Sequence, residues 1–183
     1  MKKKYSIDID NLFIEVNKAY PIPISFQEED INFPNSVILP PSALEKLISM
    51  EDPGIFNDRY FFRILNINLN IQTLCSSFDF FAEEGTCYIS NNLFKNLKLE
   101  EGQDVNIRNI KNKDLKALNI QIGNFVLLKP YKAKFLNYPN KESLVKSNLL
   151  NYSYLFEGST ISLKMENIFI NWMFYNVNLK ELL

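Results

Sequence analysis

Residues 37–47 read Val37-Ile38-Leu39-Pro40-Pro41-Ser42-Ala43-Leu44-Glu45-Lys46-Leu47. The three leading apolar residues predict a short strand, and the two prolines end it because proline cannot donate to a β-ladder. Ser42 and Glu45 have the Ser-x-x-Glu spacing of a capping box, which predicts a helix that runs on to Ile48. The stretch therefore predicts a strand followed directly by a helix.

The same pattern returns in Cys87-Tyr88-Ile89-Ser90-Asn91-Asn92-Leu93-Phe94-Lys95-Asn96-Leu97. When the two stretches are superimposed, apolar residues coincide along the strand and along one helix face, and Ser90 is placed to cap the second helix. We expect Leu44 and Leu97 on the buried faces of the two helices. A strand–helix–strand unit used twice predicts a pseudo-symmetric closed barrel, in which neither half buries its apolar face alone.

Further strands of this first region are indicated by apolar and alternating runs. They are predicted at residues 60–65, 77–82, 86–89 and 105–107, with a loop at 51–58 and turns at 83–85 and 100–102.

A second region begins near Ile120 and contains both element types. It is predicted to hold a strand at Phe125–Leu128, a helix at Lys141–Leu150, and alternating strands at 161–165 and 168–174 joined by a hairpin at 166–167. The charged stretch Lys111–Lys116 is the expected boundary between the regions. The whole chain is therefore predicted to be mostly β with short helices.

Composition limits the partners and the chemistry. The net charge of −1 gives no basic field for nucleic acid, and no apolar run reaches the ~18 residues that membrane insertion needs. A secretory signal is disfavoured because Asp8, Asp10 and Glu15 interrupt the segment that would have to be apolar. The chain has no histidine, which removes Ser-His-Asp and Cys-His catalysis and the usual zinc sites.

Several residues invite a functional interpretation, and each has a structural one that we favour. Glu83-Glu84-Gly85 is read as a turn that needs glycine rather than as an acidic contact site. Pro40-Pro41 is read as a strand stop rather than a recognition motif. Leu93, Phe94, Trp172 and Phe174 are candidates for lining a ligand pocket, and we expect them to be core residues instead. The thiols Cys75 and Cys87 are expected to be buried and free, with one disulfide as the alternative. The carboxylates Asp79, Glu83 and Glu84 are candidates for an acid–base pair, and we expect them to lie in surface turns.

Four ordered motifs resemble the ubiquitin-fusion-degradation adaptor family. They are residues 37–47, quoted above; Phe78-Asp79-Phe80-Phe81-Ala82-Glu83-Glu84-Gly85-Thr86-Cys87-Tyr88-Ile89; Leu97-Lys98-Leu99-Glu100-Glu101-Gly102; and Leu128-Lys129-Pro130 with Phe135-Leu136 and the helix leading to Asn151-Tyr152 and Gly158. The resemblance covers residues 20–178. The chain departs from the family at Pro34-Asn35-Ser36, where glycines are usual, and at Asp58-Arg59, where an aromatic-proline pair is usual.

The resemblance implies a double-psi β-barrel at residues 20–115 followed by a small α/β roll at 120–183, with 1–19 as a divergent N-terminal segment. It also implies a non-catalytic adaptor without cofactors that binds ubiquitin or polyubiquitin chains and serves an AAA ATPase of the valosin-containing type, in degradation like that at the endoplasmic reticulum. It assigns no ubiquitin-contacting residues. Because the family's tail is not seen after Leu183, we expect only indirect contact with the ATPase and leave the second adaptor subunit open.

Two alternatives stay open. A diverged barrel module of a translocation or unfolding complex would bind a different partner and no ubiquitin. An enzyme on a similar barrel ranks last, since the Asp-Thr-Gly and Asp-Ser-Gly tripeptides of aspartic proteases are absent. The expected location is the cytoplasm or nucleus, or else a reducing compartment of an endosymbiont, because the abundance of Asn, Lys and Ile resembles that of an AT-rich genome.

Overall fold

A computed structural model describes residues 13–23, 34–56, 58–111, 114, 127–131, 137–150, 152, 155, 160–165 and 168–175. The chain divides into two compact units, one formed by Met1–Ile22 with Ser36–Ile120 and the other by Pro23–Asn35 with Gln121–Leu183. The predicted boundary Lys111–Lys116 falls largely outside the described residues.

Seven strands and two short helices of the first unit lie fully within the described residues. Their bounds are β1 Ile14–Pro21, β2 Ser36–Ile38, α1 Pro41–Ile48, β3 Ile55–Phe56, β4 Arg59–Asn66, β5 Ile71–Asp79, β6 Thr86–Ile89, α2 Asn91–Asn96 and β7 Gln103–Asn109. The prediction of a mostly β chain with short helices is confirmed.

Six of these strands close into a barrel. The order is β1–β6–β2–β5–β4–β7, and β7 returns to β1 because it pairs with both β4 and β1. The pairs β1–β6 and β2–β5 are parallel, and the other four are antiparallel. The remaining strand, β3, extends the sheet by pairing with β4.

The two halves of the barrel are interlocked. Strand β1 precedes the first strand–helix unit in the chain but pairs with β6 and β7 of the second. Strand β5 precedes the second unit but pairs with β2 and β4 of the first. This crossed pairing is the double-psi arrangement, so the predicted double-psi β-barrel is confirmed, with Val37 and Cys87 in corresponding strands.

Two buried asparagines occupy equivalent places in the two halves. Asn66 ends β4 and Asn109 ends β7, and the antiparallel register of these strands centres on Ile64 opposite Ile107. Asn66 is 0% exposed and Asn109 is 1% exposed. Because a buried amide is costly without partners, the hydrogen bonds of both side chains show what holds the halves together.

Asn66 binds the segment that follows α2. Its Nδ2 donates to the carbonyl oxygens of Leu97 at 2.9 Å and Lys98 at 3.3 Å, and its Oδ1 accepts from Gln103 Nε2 at 2.7 Å. Asn109 does the equivalent after α1, where its Nδ2 donates to the Pro53 carbonyl oxygen at 3.3 Å. Each half therefore holds, by an asparagine side chain, the backbone that follows the helix of the other half.

The barrel interior is filled by apolar side chains from all six barrel strands and from both helices. The fully buried members include Val37, Leu39, Leu47, Phe62, Ile64, Ile89, Leu93, Leu97, Val105 and Ile107. Both helices thus use an apolar face to close the barrel, as an amphipathic pattern predicts.

The structure corrects several boundaries. Strand β1 was missed, and residues 14–19, which the sequence placed in a segment before the barrel, pair within its sheet. The reason is an inverted alternation, since Ile14 and Val16 face outward while Asn17 is buried. Strand β3 lies in the predicted loop, and β5 begins at Ile71 and ends at Asp79.

The predicted helix caps are also wrong in their chemistry. Pro40 is the N-cap residue of α1, and no side chain caps that helix. Ser90 is the N-cap residue of α2, but its Oγ accepts a hydrogen bond from the Ser36 backbone N–H at 3.3 Å instead of capping the helix. Leu97 is buried as expected, whereas Leu44 is only partly buried and Leu47 takes the core position.

The described residues of the second unit form a three-stranded antiparallel sheet and one helix. Their bounds are β8 Leu127–Pro130, α3 Lys141–Leu149, β9 Thr160–Met165 and β10 Ile168–Tyr175, in the sheet order β8-β10-β9. Leu163 is buried against Leu128, Tyr138, Leu144, Val145, Leu149, Tyr152 and Leu155. The helix and both later strands match their predictions, while the predicted hairpin residues 166–167 lie outside the described residues.

Leu97→Ala is expected to destabilise the first unit by about 2–4 kcal/mol, because truncating a fully buried leucine leaves a cavity. Leu44→Ala should cost clearly less, since that side chain is partly exposed. Urea unfolding followed by circular dichroism measures both. Equal losses for the two variants would contradict the assignment of the α1 core position to Leu47.

Gly54→Ala is expected to destabilise by more than about 3 kcal/mol, an unusually large effect for one methyl group. Gly54 has a φ of +79°, and an added Cβ would lie 1.7 Å from the Ile110 carbonyl oxygen. Gly85→Ala is the matched control, with a φ of +77° and no atom within 4 Å of the added Cβ. It should cost only the backbone penalty of about 1–2 kcal/mol, and similar unfolding midpoints for both variants would refute the close approach at Gly54.

Candidate interaction surface

The stretch Glu83-Glu84-Gly85 forms the tight turn that the sequence predicts. The Thr86 backbone N–H and its Oγ1 both donate to the Glu83 carbonyl oxygen, at 3.0 and 2.7 Å. Gly85 has a positive φ of 77°, which favours glycine. The turn is therefore accounted for by its own backbone geometry.

Charged side chains connect this turn and β1 to helix α1. Ser42 Oγ donates to Glu84 Oε2 at 2.6 Å, and Lys46 Nζ lies 2.6 Å from Glu15 Oε1. The hydrogen bond and charge of Glu15 raise the pKa of Lys46, assisted by Glu84 and opposed by the small degree of burial. Ser42 thus holds a neighbouring turn rather than capping its own helix, and these charges have a structural use.

Pro40 and Pro41 lie where a strand stops and a helix starts. Pro40 is buried at the N-cap of α1, with extended backbone angles, and Pro41 is the first helical residue. Proline is suited to this position because the first N–H groups of a helix have no intrahelical acceptor. The structural interpretation of the Pro-Pro pair is confirmed.

The aromatic and aliphatic pocket candidates divide into two groups. Leu93 is 1% exposed within the barrel core, and Phe94 packs against that core. Both side chains thus belong to the packing of the barrel core, as predicted. Trp172 and Phe174 are in β10, but their side chains lie outside what the structure describes.

Both cysteines are buried free thiols, as predicted. Burial is the main cause that raises the pKa of Cys87 to about 12, and the charge of Glu15 adds to it. Burial likewise raises the pKa of Cys75 far above its usual range. A protonated, enclosed thiol is a poor nucleophile, so neither residue has the properties of a catalytic cysteine.

The native protein is expected to react with a thiol reagent such as dithionitrobenzoate at neutral pH much more slowly than the urea-unfolded chain, which should release both thiols at once. The reason is the combination of burial and raised thiol pKa. Absorbance of the released thiolate measures the rate. Rapid modification of Cys87 in the folded protein, identified by mass spectrometry, would contradict this assignment.

Ligand chemistry is sparse in the part of the chain that the structure describes. No three His, Cys, Asp or Glu side chains come together there in a way that would hold a metal ion. Asp79 accepts a hydrogen bond from the Phe80 backbone N–H at 2.7 Å, while Glu84 is engaged by Ser42. Two of the three predicted carboxylates, Asp79 and Glu84, therefore take part in local structural hydrogen bonds.

A further surface was not found from the sequence. On the outside of the barrel, Arg63 of β4 lies directly opposite Arg108 of β7. Ile14, 48% exposed, and Val16, 56% exposed, lie alongside on β1. The available signal was one arginine beside a buried isoleucine in each of two strands, but the pairing of the arginines is non-local and sequence spacing does not reveal it.

The barrel residues match a known family. Residues 13–113 match the family model described as "Ubiquitin fusion degradation protein UFD1, N-terminal subdomain 1", and this is more than half of the chain. The chain belongs to this family. The match begins at Phe13, so β1, which the sequence had left outside the barrel, lies within the family domain.

Curated relatives from distant eukaryotes agree with the family match. The chain is 29% identical over 136 residues to "Ubiquitin recognition factor in ER-associated degradation protein 1" of Homo sapiens, covering 73% of this chain and 40% of the relative. It is 28% identical to "Ubiquitin fusion degradation protein 1 homolog" of Dictyostelium discoideum, covering 82% and 42%. It is 25% identical to "Ubiquitin fusion degradation protein 1" of Saccharomyces cerevisiae, covering 87% and 44%.

The chain thus spans about two fifths of the length of these family members. Among solved structures it is similar to the computationally designed protein msDPBB_sym2, with 10% identity, a TM-score of 0.38, and coverage of 54% of this chain and 100% of that one. Among the described residues, no helix has the length and apolar character needed to cross a bilayer.

Proposed function

We propose that this chain is a non-catalytic adaptor that recognises ubiquitylated proteins in ubiquitin-dependent degradation. The observation that carries the proposal is the family match over residues 13–113, which coincides with the closed barrel. Relatives in mammals carry the name "Ubiquitin recognition factor in ER-associated degradation protein 1". The barrel is therefore the part of the molecule in which we place ubiquitin recognition.

Several properties of the barrel support a binding role over an enzymatic one. Its interior is packed with apolar side chains, and its two thiols are buried. The side-chain amides of its buried asparagines, Asn66 and Asn109, donate hydrogen bonds to backbone carbonyl oxygens of the opposite half. The chemistry available to a partner thus lies on the outer surface, where proteins are recognised.

We further propose that the bound substrates are passed to an AAA ATPase of the type that the family serves, including substrates extracted from the endoplasmic reticulum. The support is the family membership and the names of the relatives. The proposal extends only to the region matched, about two fifths of each relative. The two buried free thiols suit a reducing compartment, and we propose the cytoplasm or nucleus.

Titration of isotope-labelled protein with ubiquitin is expected to shift a localised set of amide resonances. A single ubiquitin should bind weakly, with a dissociation constant between micromolar and millimolar, which corresponds to about −8 to −4 kcal/mol. A polyubiquitin chain should bind more tightly, because linked copies raise the effective concentration at a second contact. The measurement is nuclear magnetic resonance with mono- and polyubiquitin at equal ubiquitin concentration.

The control ligand is an unrelated small globular protein at the same concentration, which should cause no shifts. The absence of shifts with both ubiquitin ligands at millimolar concentration would contradict the proposal. That result would favour the diverged module, in which the same barrel binds another partner.

A further inference from the structure

Two arginines face each other on the outside of the barrel. Arg63 and Arg108 are register partners in the antiparallel pair β4–β7. They point outward, because the flanking residues Ile64 and Ile107 are fully buried in the core. Residues directly opposite in such a pair have Cβ atoms about 4.5–5.5 Å apart, so two positive charges lie side by side on one sheet face.

This arrangement opposes folding, and no ion pair among the described residues offsets it. Like charges directly across a strand pair are destabilising. Within the described ranges, the ion pairs are Lys18 with Asp104 and Lys46 with Glu15, and neither includes an arginine of this pair. The chain has only three arginines among twenty basic residues, yet two of the three occupy these opposed positions.

Aliphatic side chains border the arginines. Ile14 of β1 is the register partner of Arg108, and Val16 is the register partner of Asn106, which in turn lies opposite Leu65. Ile14 and Val16 are 48% and 56% exposed, which is unusual for β-branched residues in a barrel strand. We call these residues the twin-arginine face: Ile14, Val16, Arg63, Leu65, Asn106 and Arg108.

We propose that the twin-arginine face binds an acidic segment of a partner protein, in which adjacent carboxylates are flanked by aliphatic side chains. A guanidinium group presents a rigid fork of donors that matches a carboxylate in a two-bond contact. Two such forks side by side suit a pair of carboxylates, and their mutual repulsion is relieved when the acidic segment is bound. Ile14 and Val16 supply apolar contact on the β1 side.

Charge and composition favour a peptide over a polyanion. A nucleic acid or an anionic bilayer is held by a broad field of cations, whereas this chain has a net charge of −1. The nearest lysine on β1, Lys18, is engaged by Asp104 at 3.4 Å. The face therefore offers two strong cationic forks in an aliphatic setting, and this is a ligand surface separate from the ubiquitin binding proposed above.

The direct test uses a short synthetic peptide with two central glutamates flanked by leucines, and the same peptide with glutamines in their place. We expect the glutamate peptide to shift amide resonances of residues 14–16, 63–65 and 106–108 and the glutamine peptide to bind at least tenfold more weakly. The variant Arg63→Gln/Arg108→Gln should lose binding by at least tenfold. The matched control, Lys95→Gln/Lys129→Gln, removes two exposed charges elsewhere and should bind as the unaltered protein does.

Stability and ubiquitin titrations distinguish the possible failures. Arg63→Gln/Arg108→Gln should have an unchanged or higher melting temperature, which shows that the arginines are not needed for folding. Its ubiquitin binding should equal that of the unaltered protein. Equal binding of the two peptides, equal loss in the control variant, or no binding at millimolar concentration would overturn the proposal. The proposal would also be overturned if the face bound anionic vesicles or nucleic acid. It would be overturned too if ubiquitin binding depended on the two arginines while the peptide did not bind.

Discussion

The crossed pairing of β1 and β5 is the constraint on which the barrel depends. Each of these strands completes the half of the barrel to which it does not belong in sequence. Neither strand–helix unit therefore has a closed sheet or a covered core alone. Asn66 and Asn109 also connect the two halves, because each side-chain amide donates to a backbone carbonyl oxygen of the opposite half. Folding is expected to be cooperative across both halves because the stabilising contacts are shared between them.

The closed barrel also limits which of its side chains are available for contact with a partner. The interior of the six-stranded barrel is filled by apolar side chains, and the two thiols enclosed in it are held in their protonated form by burial. The charged side chains near α1 already bind within the barrel unit, because Glu84 accepts from Ser42 and Glu15 pairs with Lys46. The outer face of β1, β4 and β7 differs, because the ion pairs within the described ranges do not include Arg63 or Arg108. The partner contacts that we propose are therefore placed on the exterior of the barrel.

Local patterns in the sequence predict the elements of the barrel but not the pairs that they form. The strand–proline–helix repeat at residues 37–47 and 87–97 predicts the duplicated fold, because each strand and helix is specified by adjacent residues. Strand β1 was missed because Ile14 and Val16 face solvent while Asn17 faces the core, which reverses the usual pattern. The Ser42–Glu84 contact was missed because the two residues are distant in sequence. The capping box predicted at Ser42 failed because α1 begins at Pro41 with Pro40 as its N-cap, so Ser42 lies inside the first turn and its Oγ donates to Glu84 instead.

The twin-arginine face depends on the pairing register of the strands, which the sequence alone does not give. Arg63 and Arg108 each look unremarkable in their own strand, as one polar residue at an outward position. Only the register of β4 against β7 places them opposite each other, and only the register of β1 against β7 brings Ile14 and Val16 beside them. The same crossed closure that buries the core thus also assembles this surface. A fold in which β1 did not pair with β7 would remove Ile14 from its position opposite Arg108, so this surface depends on the interlocked topology.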